Sequence, residues 1–242
     1  MLYFLDVKII CVTHADFETP GVIVDWARSR GHGMSIVRPY GGESLDGTEG
    51  SDFLIVMGGP QDLAGGGRLP YLEHEIEHIR KRVLDKRPVL GFCLGAQLIG
   101  ESLGARAERS PEREIGVYPV ELTGAAKTDP LLRDWPPRFD AIHWHGDMPG
   151  LTKEAVVLAK SEGCPRQIVR YREGLYALQC HLEITREGVK PMIDASPEDF
   201  RPGKFVQSKE DMLKNDYAPI NRRMFDFLDR LAAILNPQSL AR

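Results

Sequence analysis

The stretch that decides the fold is PVLGFCLGAQLIG, residues 88–100. Residues 88–92 form a short apolar run of the kind that makes a buried strand, and residues 94–103 read as a helix. Between them stands Gly91-Phe92-Cys93-Leu94-Gly95. A strand that turns at once into a helix needs a tight backbone. Glycine two residues to either side of the central residue lets neighbouring chain come close. Such a turn lifts Cys93 out at the carboxyl edge of a sheet. The N–H of Leu94 then points towards any oxyanion formed there, and the helix N-terminus favours a thiolate. Taken by itself, Gly-x-Cys-x-Gly also fits a buried core cysteine, a common fate of that residue type. A cysteine nucleophile needs, in addition, a base and a group to orient it.

Outward from this turn, strand and helix alternate through the first hundred residues. Residues 5–13 (LDVKIICVT) and 34–37 are expected as strands. Residues 20–30 (PGVIVDWARSR) are expected as a helix, with Gly31 after its last turn. FLIVM, residues 53–57, is a continuous apolar run, as in a strand covered on both faces. Residues 71–86 carry a charged amphipathic pattern and read as a surface helix. The alternation predicts a parallel sheet with right-handed crossovers. The second half differs: residues 115–122, 139–144, 155–160, 166–171 and 175–180 are short strand-like runs joined by turn-rich segments. Residues 185–215 are polar and fit short helices with a loop, and 217–235 has helical periodicity. The expected fold class is therefore α/β, with a mostly parallel central sheet flanked by helices and added antiparallel strands. With no repeat, low-complexity tract or linker in view, residues 1–242 read as one domain.

The base is sought in LYALQCHLEI, residues 175–184. On a strand, residues i and i+2 share a face, so His181 and Glu183 can point the same way. A carboxylate beside an imidazole fixes its tautomer and stabilises the imidazolium that forms when a thiol gives up its proton. Without the cysteine turn, a solvated surface pair would be the better explanation of these two residues. MGGP, residues 57–60, follows the 53–57 run directly. Its glycines let the backbone approach a ligand and expose an N–H as a second oxyanion donor. A P-loop lysine and a GxGxxG pattern are both missing, which speaks against a phosphate site. In HWHGD, residues 143–147, His143, His145 and Asp147 alternate on one strand face and would suit a metal. No other ligand cluster supports that reading, and no metal is expected.

MGGP, GFCLGAQLIG and QCHLEIT, in this order, resemble the class I (triad-type) glutamine amidotransferase family over about residues 5–185. Stand-alone proteins similar to the glutaminase domain of GMP synthase look closest. The resemblance implies a class I glutamine amidotransferase-like, flavodoxin-like fold and a mechanism. Cys93 would attack the side-chain amide carbon of glutamine. His181, oriented by Glu183, would take the thiol proton and pass it to departing ammonia, and water would hydrolyse the γ-glutamyl thioester. The N–H groups of Gly59 and Leu94 would form the oxyanion hole. Gly58, Gln97, Trp144, His145, Gly146 and Asp147 would bind substrate, and Glu114 would approach the pocket. No cofactor is implied. Two positions depart from the family pattern, Ala96 where His is frequent and Leu182 where Pro is usual; neither removes a member of the triad.

Composition sets outer bounds. A chain of 242 residues can bury a full core. Its net charge of −4 offers no basic excess for nucleic acid. No apolar run reaches the roughly 18–20 residues that span a bilayer. The apolar start, MLYFLDVKIICV, is broken by Asp6 and Lys8 and reads as a first buried strand, not a signal peptide. Cys11, Cys93, Cys164 and Cys180 contain no CxxC pair, so neither a zinc site nor a disulfide framework is expected. A reducing, cytoplasmic setting follows. The expected partners are glutamine or another γ-glutamyl compound, with no nucleic acid and no membrane. Ammonia would go to a separate synthetase subunit, because no second synthetase domain is read in these residues. Two alternatives remain: a γ-glutamyl peptide or amide hydrolase that forms the same thioester, and a non-catalytic amidotransferase-like regulatory subunit. Retention of Cys93, His181 and Glu183 argues against the latter.

Overall fold

The computed structural model describes residues 7–235, and its ten strands belong to one sheet. The first half alternates as the apolar runs predict: β1 (Lys8–Val12), α1 (Val22–Arg30), β2 (Gly33–Val37), β3 (Phe53–Val56), α2 (Pro70–Leu84), β4 (Val89–Phe92) and α3 (Leu94–Ser102). Strands β2, β1, β3 and β4 lie side by side in parallel. All residues of β3 and β4 are buried, because helices cover both faces. Gly31 ends α1 in the left-handed conformation at φ 74°. The expected strand over 5–13 begins, within the described residues, at Lys8; positions 5 and 6 lie outside them.

In the second half follow β5 (Glu108–Leu122), β6 (Arg138–Met148), β7 (Val156–Lys160), β8 (Ile168–Arg172) and β9 (Leu175–Leu178). Strand β9 lies parallel beside β4, and antiparallel pairs carry the sheet through β8 and β7 to β5, with β6 paired to β5. Strands β5 and β6 are longer than the runs 115–122 and 139–144. The added pairs, Glu108 with Met148, Arg109 with Asp147 and Glu114 with His145, flank a register shift between Arg109 and Glu114. Charged, mostly exposed residues and Pro111 mask strand character there.

The polar stretch after residue 185 is ordered into α4 (Arg186–Ala195), a 3₁₀ turn at Pro197–Phe200, β10 (Phe205–Val206) and α5 (Lys209–Lys214). Thr185 and Ser208 cap the two helices by accepting from the N–H groups of Gly188 and Asp211. Helix α6 (Ala218–Leu235) buries Met224, Phe227, Leu228 and Leu231 at i, i+3, i+4 and i+7, each worth roughly 1.5–3 kcal/mol of apolar burial. Helices α1 and α6 pack together on one face of the sheet, and α2 and α3 on the other. Among the described residues, no helix is long and apolar enough to cross a membrane.

Candidate active site

Cys93 occupies the sharp turn between β4 and α3 with φ 46° and ψ −106°. An L-residue rarely adopts that backbone, at a strain of roughly 1–3 kcal/mol. The surroundings enforce it. The Cys93 N–H donates to the Leu178 carbonyl at 2.8 Å, and the Gly95 N–H to the Met57 carbonyl at 3.1 Å. A Cβ at Gly91 would strike the Gly95 carbonyl group, and one at Gly95 would strike the Val56 carbonyl oxygen. Both glycines are thus demanded by close backbone approach. Leu94 opens α3, so its N–H has no acceptor inside the helix.

Strand β9 ends at Leu178, and His181 stands beyond it. A two-bond bridge to Ile142 on β6 fixes its backbone: His181 N–H to Ile142 O at 2.7 Å and Ile142 N–H to His181 O at 3.0 Å. His181 Nδ1 lies 2.6 Å from Glu183 Oε1, and Glu183 Oε2 accepts from the Leu182 N–H at 3.0 Å. The carboxylate is therefore pinned at both oxygens. Burial favours the neutral imidazole, yet the Glu183 charge and the bonds to Cys93 and Glu183 outweigh it, so His181 titrates well above its ordinary range. With Nδ1 given to Glu183, Nε2 is the ring nitrogen left for the Cys93 sulfur. The single S–H of the thiol donates to the Trp144 carbonyl at 3.6 Å. Sulfur, imidazole and carboxylate are thereby brought together from residues about ninety positions apart.

A pocket of about 290 Å³ opens over Cys93. Gly59, Leu94, Gln97, Trp144, His145, Gly146 and Asp147 all line it. Gln97 Nε2 donates to Gln179 Oε1 at 3.3 Å, while the Gln97 side-chain oxygen has no partner among the described residues. Gly58 does not reach this pocket; it lies beneath, lining a small recess with His181 and Glu183. Its carbonyl accepts from His14 Nδ1 at 2.9 Å. The His145 nitrogens turn inward, Nδ1 to the Asp147 carbonyl and Nε2 to Glu114, so this residue offers the pocket ring surface, not a free donor. Asp147 is held by Arg109 at 2.8 Å.

Glu114 stands behind the pocket rather than in it. Ser161, the Gly163 N–H and Gln167 take up its carboxylate, which is fully buried. His143, His145 and Asp147 do not converge, because Asp147 pairs with Arg109. A different trio, Glu114, His145 and Cys164, has ligand atoms near one another. The Gln167 Nε2 amide already fills the middle of that network, 2.7 Å from Glu114, 3.1 Å from His143, 3.2 Å from His145 and 2.9 Å from Ser161. Burial pushes His143 down to about 3, so its ring stays neutral within the network.

Several site residues carry no motif. His14 and Glu75 form a buried pair under the 57–60 loop. Asp199, from the 3₁₀ turn, accepts from Trp144 Nε1 at 2.8 Å, and Phe200 meets the Trp144 ring edge to face. Glu198 and Arg113 complete that wall. Glu18 borders both the pocket and the recess. Burial pushes its carboxyl up to about 7, against the opposing pull of His181 and His14, with Glu183 and Asp199 raising it further. A carboxyl raised in the folded state stabilises below its unfolded value near 4.5 and loses that contribution as pH climbs through 7. Glu18→Gln should therefore melt level with the parent at pH 4.5 and several degrees higher at pH 8. A melting difference independent of pH would remove this account.

The fold and the site together define a class: a mostly parallel α/β sheet with a cysteine on a strained strand-to-helix turn and a His–Glu pair behind it. The glutamine amidotransferase class-I family model matches residues 16–193. This chain belongs to the class I glutamine amidotransferase family. It is 43% identical over 227 residues to a Salmonella typhimurium protein described as glutamine amidotransferase-like, YfeJ, covering 91% of this chain and 95% of that one. A glutamine-hydrolyzing GMP synthase of the same organism is 37% identical over 146 residues, 57% of this chain but 26% of the synthase. The chain thus spans about a quarter of the GMP synthases it matches. Among solved structures, SMU.1228c superposes with a TM-score of 0.87 at 41% identity, covering 93% of this chain and 99% of that one. A glutamine amidotransferase from Methylobacillus flagellatus gives 0.84 at 26% identity, covering 95% and 94%.

Proposed function

We propose that the chain hydrolyses the side-chain amide of glutamine, or of a related γ-glutamyl amide, through a thioester on Cys93. The observation that carries this is the 2.6 Å contact between His181 Nδ1 and Glu183 Oε1, with the other ring nitrogen left to the Cys93 sulfur. The sulfur attacks the amide carbon and its proton passes to Nε2. The oxyanion is met by the N–H groups of Gly59 and Leu94. Collapse breaks the C–N bond as Nε2 returns the proton to the departing nitrogen. Water, deprotonated by the same nitrogen, then attacks the thioester and frees glutamate and the thiol. Gln97 lines the pocket with its buried side-chain oxygen left without a partner among the described residues, and suits the α-ammonium of the substrate. In the amidotransferase reading, ammonia goes to a separate synthetase subunit; the glutamine-hydrolyzing GMP synthases among its relatives support this.

A second reading, cleavage of γ-glutamyl peptides or amides, is favoured by the polar wall of Arg113, Glu198 and Asp199 beyond the sulfur. Such groups can meet a leaving amine larger than ammonia. Mass spectrometry of the protein mixed with glutamine or with γ-glutamyl dipeptides tests both, by the γ-glutamyl adduct on Cys93 and by which compound turns over faster. No adduct from any of them would favour the regulatory-subunit alternative. Glu183→Gln keeps the shape but not the charge behind His181. It is expected to lower kcat by roughly 10²–10⁴-fold with little change in KM. A parental kcat would detach Glu183 from the chemistry.

A further inference from the structure

Strands β1 and β3 are paired with Val12 opposite Val56, and two residues past that pair, on each chain, stand His14 and Gly58. His14 is fully enclosed between them and α2. Its Nδ1 lies 2.9 Å from the Gly58 carbonyl oxygen, which can only accept, so Nδ1 carries a proton and donates. Its Nε2 lies 3.1 and 3.0 Å from the two oxygens of Glu75, a carboxyl buried on α2. A buried acid is expensive unless paired, and the partner of Glu75 here is this imidazole.

The carbonyl of Gly58 and the N–H of Gly59 belong to one peptide unit. In a trans unit these two groups point to opposite sides. A donor that holds the Gly58 oxygen on the buried side therefore turns the Gly59 N–H to the other side. Gly59 lines the pocket with Cys93 and Leu94, and a Cβ on it would strike the Leu94 and His14 side chains. Glycine peptides rotate readily, so without a restraint this unit could flip and present its oxygen to the site.

We propose that His14 and Glu75 are positioning residues that lock the Gly58–Gly59 peptide with its N–H facing the oxyanion. The pair touches no substrate. It acts through one peptide plane: both ring nitrogens face acceptors, so the Glu75 carboxylate at Nε2 holds the ring as an imidazolium and Nδ1 donates as well. This inference rests on the thioester reading above. It predicts a rate defect confined to steps that build negative charge on the substrate oxygen.

His14→Phe removes the donor and keeps the ring. The expected result is a kcat for glutamine, or for the better γ-glutamyl substrate, lower by roughly 10²–10³-fold, with KM within about threefold. Alkylation of Cys93 by iodoacetamide, which forms no oxyanion, should proceed at the parental rate. His14→Asn places an amide nitrogen where Nδ1 stood and should recover much of the lost rate. Glu75→Gln, which is less disruptive to folding, should lower kcat by about tenfold. A folded His14→Phe protein with parental turnover would overturn the proposal. So would a His14→Asn protein as impaired as the Phe variant, or iodoacetamide labelling that falls in step with kcat. If His14→Phe does not fold, an unchanged kcat in Glu75→Gln overturns it. If the parent itself forms no adduct, the thioester reading fails first, and that outcome is separately visible.

Discussion

Cys93→Ala is expected to abolish turnover, by roughly 10⁴-fold or more, and to leave no γ-glutamyl adduct in the mass spectrum. The remaining groups cannot take over. His181 would have no sulfur to deprotonate, and the Gly59 and Leu94 N–H groups would face a substrate that nothing attacks. The fold should persist. Alanine meets the same backbone strain at φ 46°, and the site loses one largely buried sulfur. The melting temperature should stay within a few degrees of the parent, since that sulfur also bonds to the Trp144 carbonyl. Ammonia or glutamate release, measured beside thermal unfolding, checks both halves. Comparable turnover would refute the assignment of the nucleophile.

Gly95→Ala is expected to damage the fold as well as the activity. The new Cβ would press on the carbonyl oxygen and carbon of Val56 and on its side chain. Those atoms belong to β3, which is buried along its whole length and paired on both sides. The strand cannot yield, so α3 must lift from the sheet, carrying the Leu94 N–H with it. The destabilisation should be about 3 kcal/mol or more, a drop of roughly 6–12 °C for a chain of this size. Gly104→Ala is the control. Gly104 has φ 80° with nothing within 4 Å of the added carbon, so that change costs about 1 kcal/mol of backbone strain. Equal melting of the two variants would show that the packing argument is wrong.

The residues that announce themselves in the sequence are those whose geometry is local. Gly91 and Gly95 mark the elbow because a five-residue turn needs them, and His181 with Glu183 lie two apart. Buried strands such as 53–57 declare themselves by unbroken apolarity. The rest depends on long-range pairing. His14 meets Gly58 across 44 residues and Glu75 across 61, and nothing near either partner foretells the meeting. The outer half of β5 is hidden by charges at Glu112 and Arg113 and by Pro111, tolerable because that part of the strand is mostly exposed. Glu114 stands behind the pocket for a related reason. Its motif neighbours suggest the pocket, but its actual partners, Ser161 and Gln167, come from a segment some fifty residues on. Helix α4 carries Pro191 inside it, which blurs the helical signal over 185–215.

Trp144 is clasped by Asp199 and Phe200, beyond residue 193 where the family match ends. The Cys93 sulfur and the His181 imidazole thus sit within the span that the family model matches, while part of the enclosure beside them comes from residues after it. Substitutions at Ser196, Glu198 and Asp199 would reshape that enclosure and so change which molecules fit it. The sulfur, the imidazole and the elbow need not move when it does.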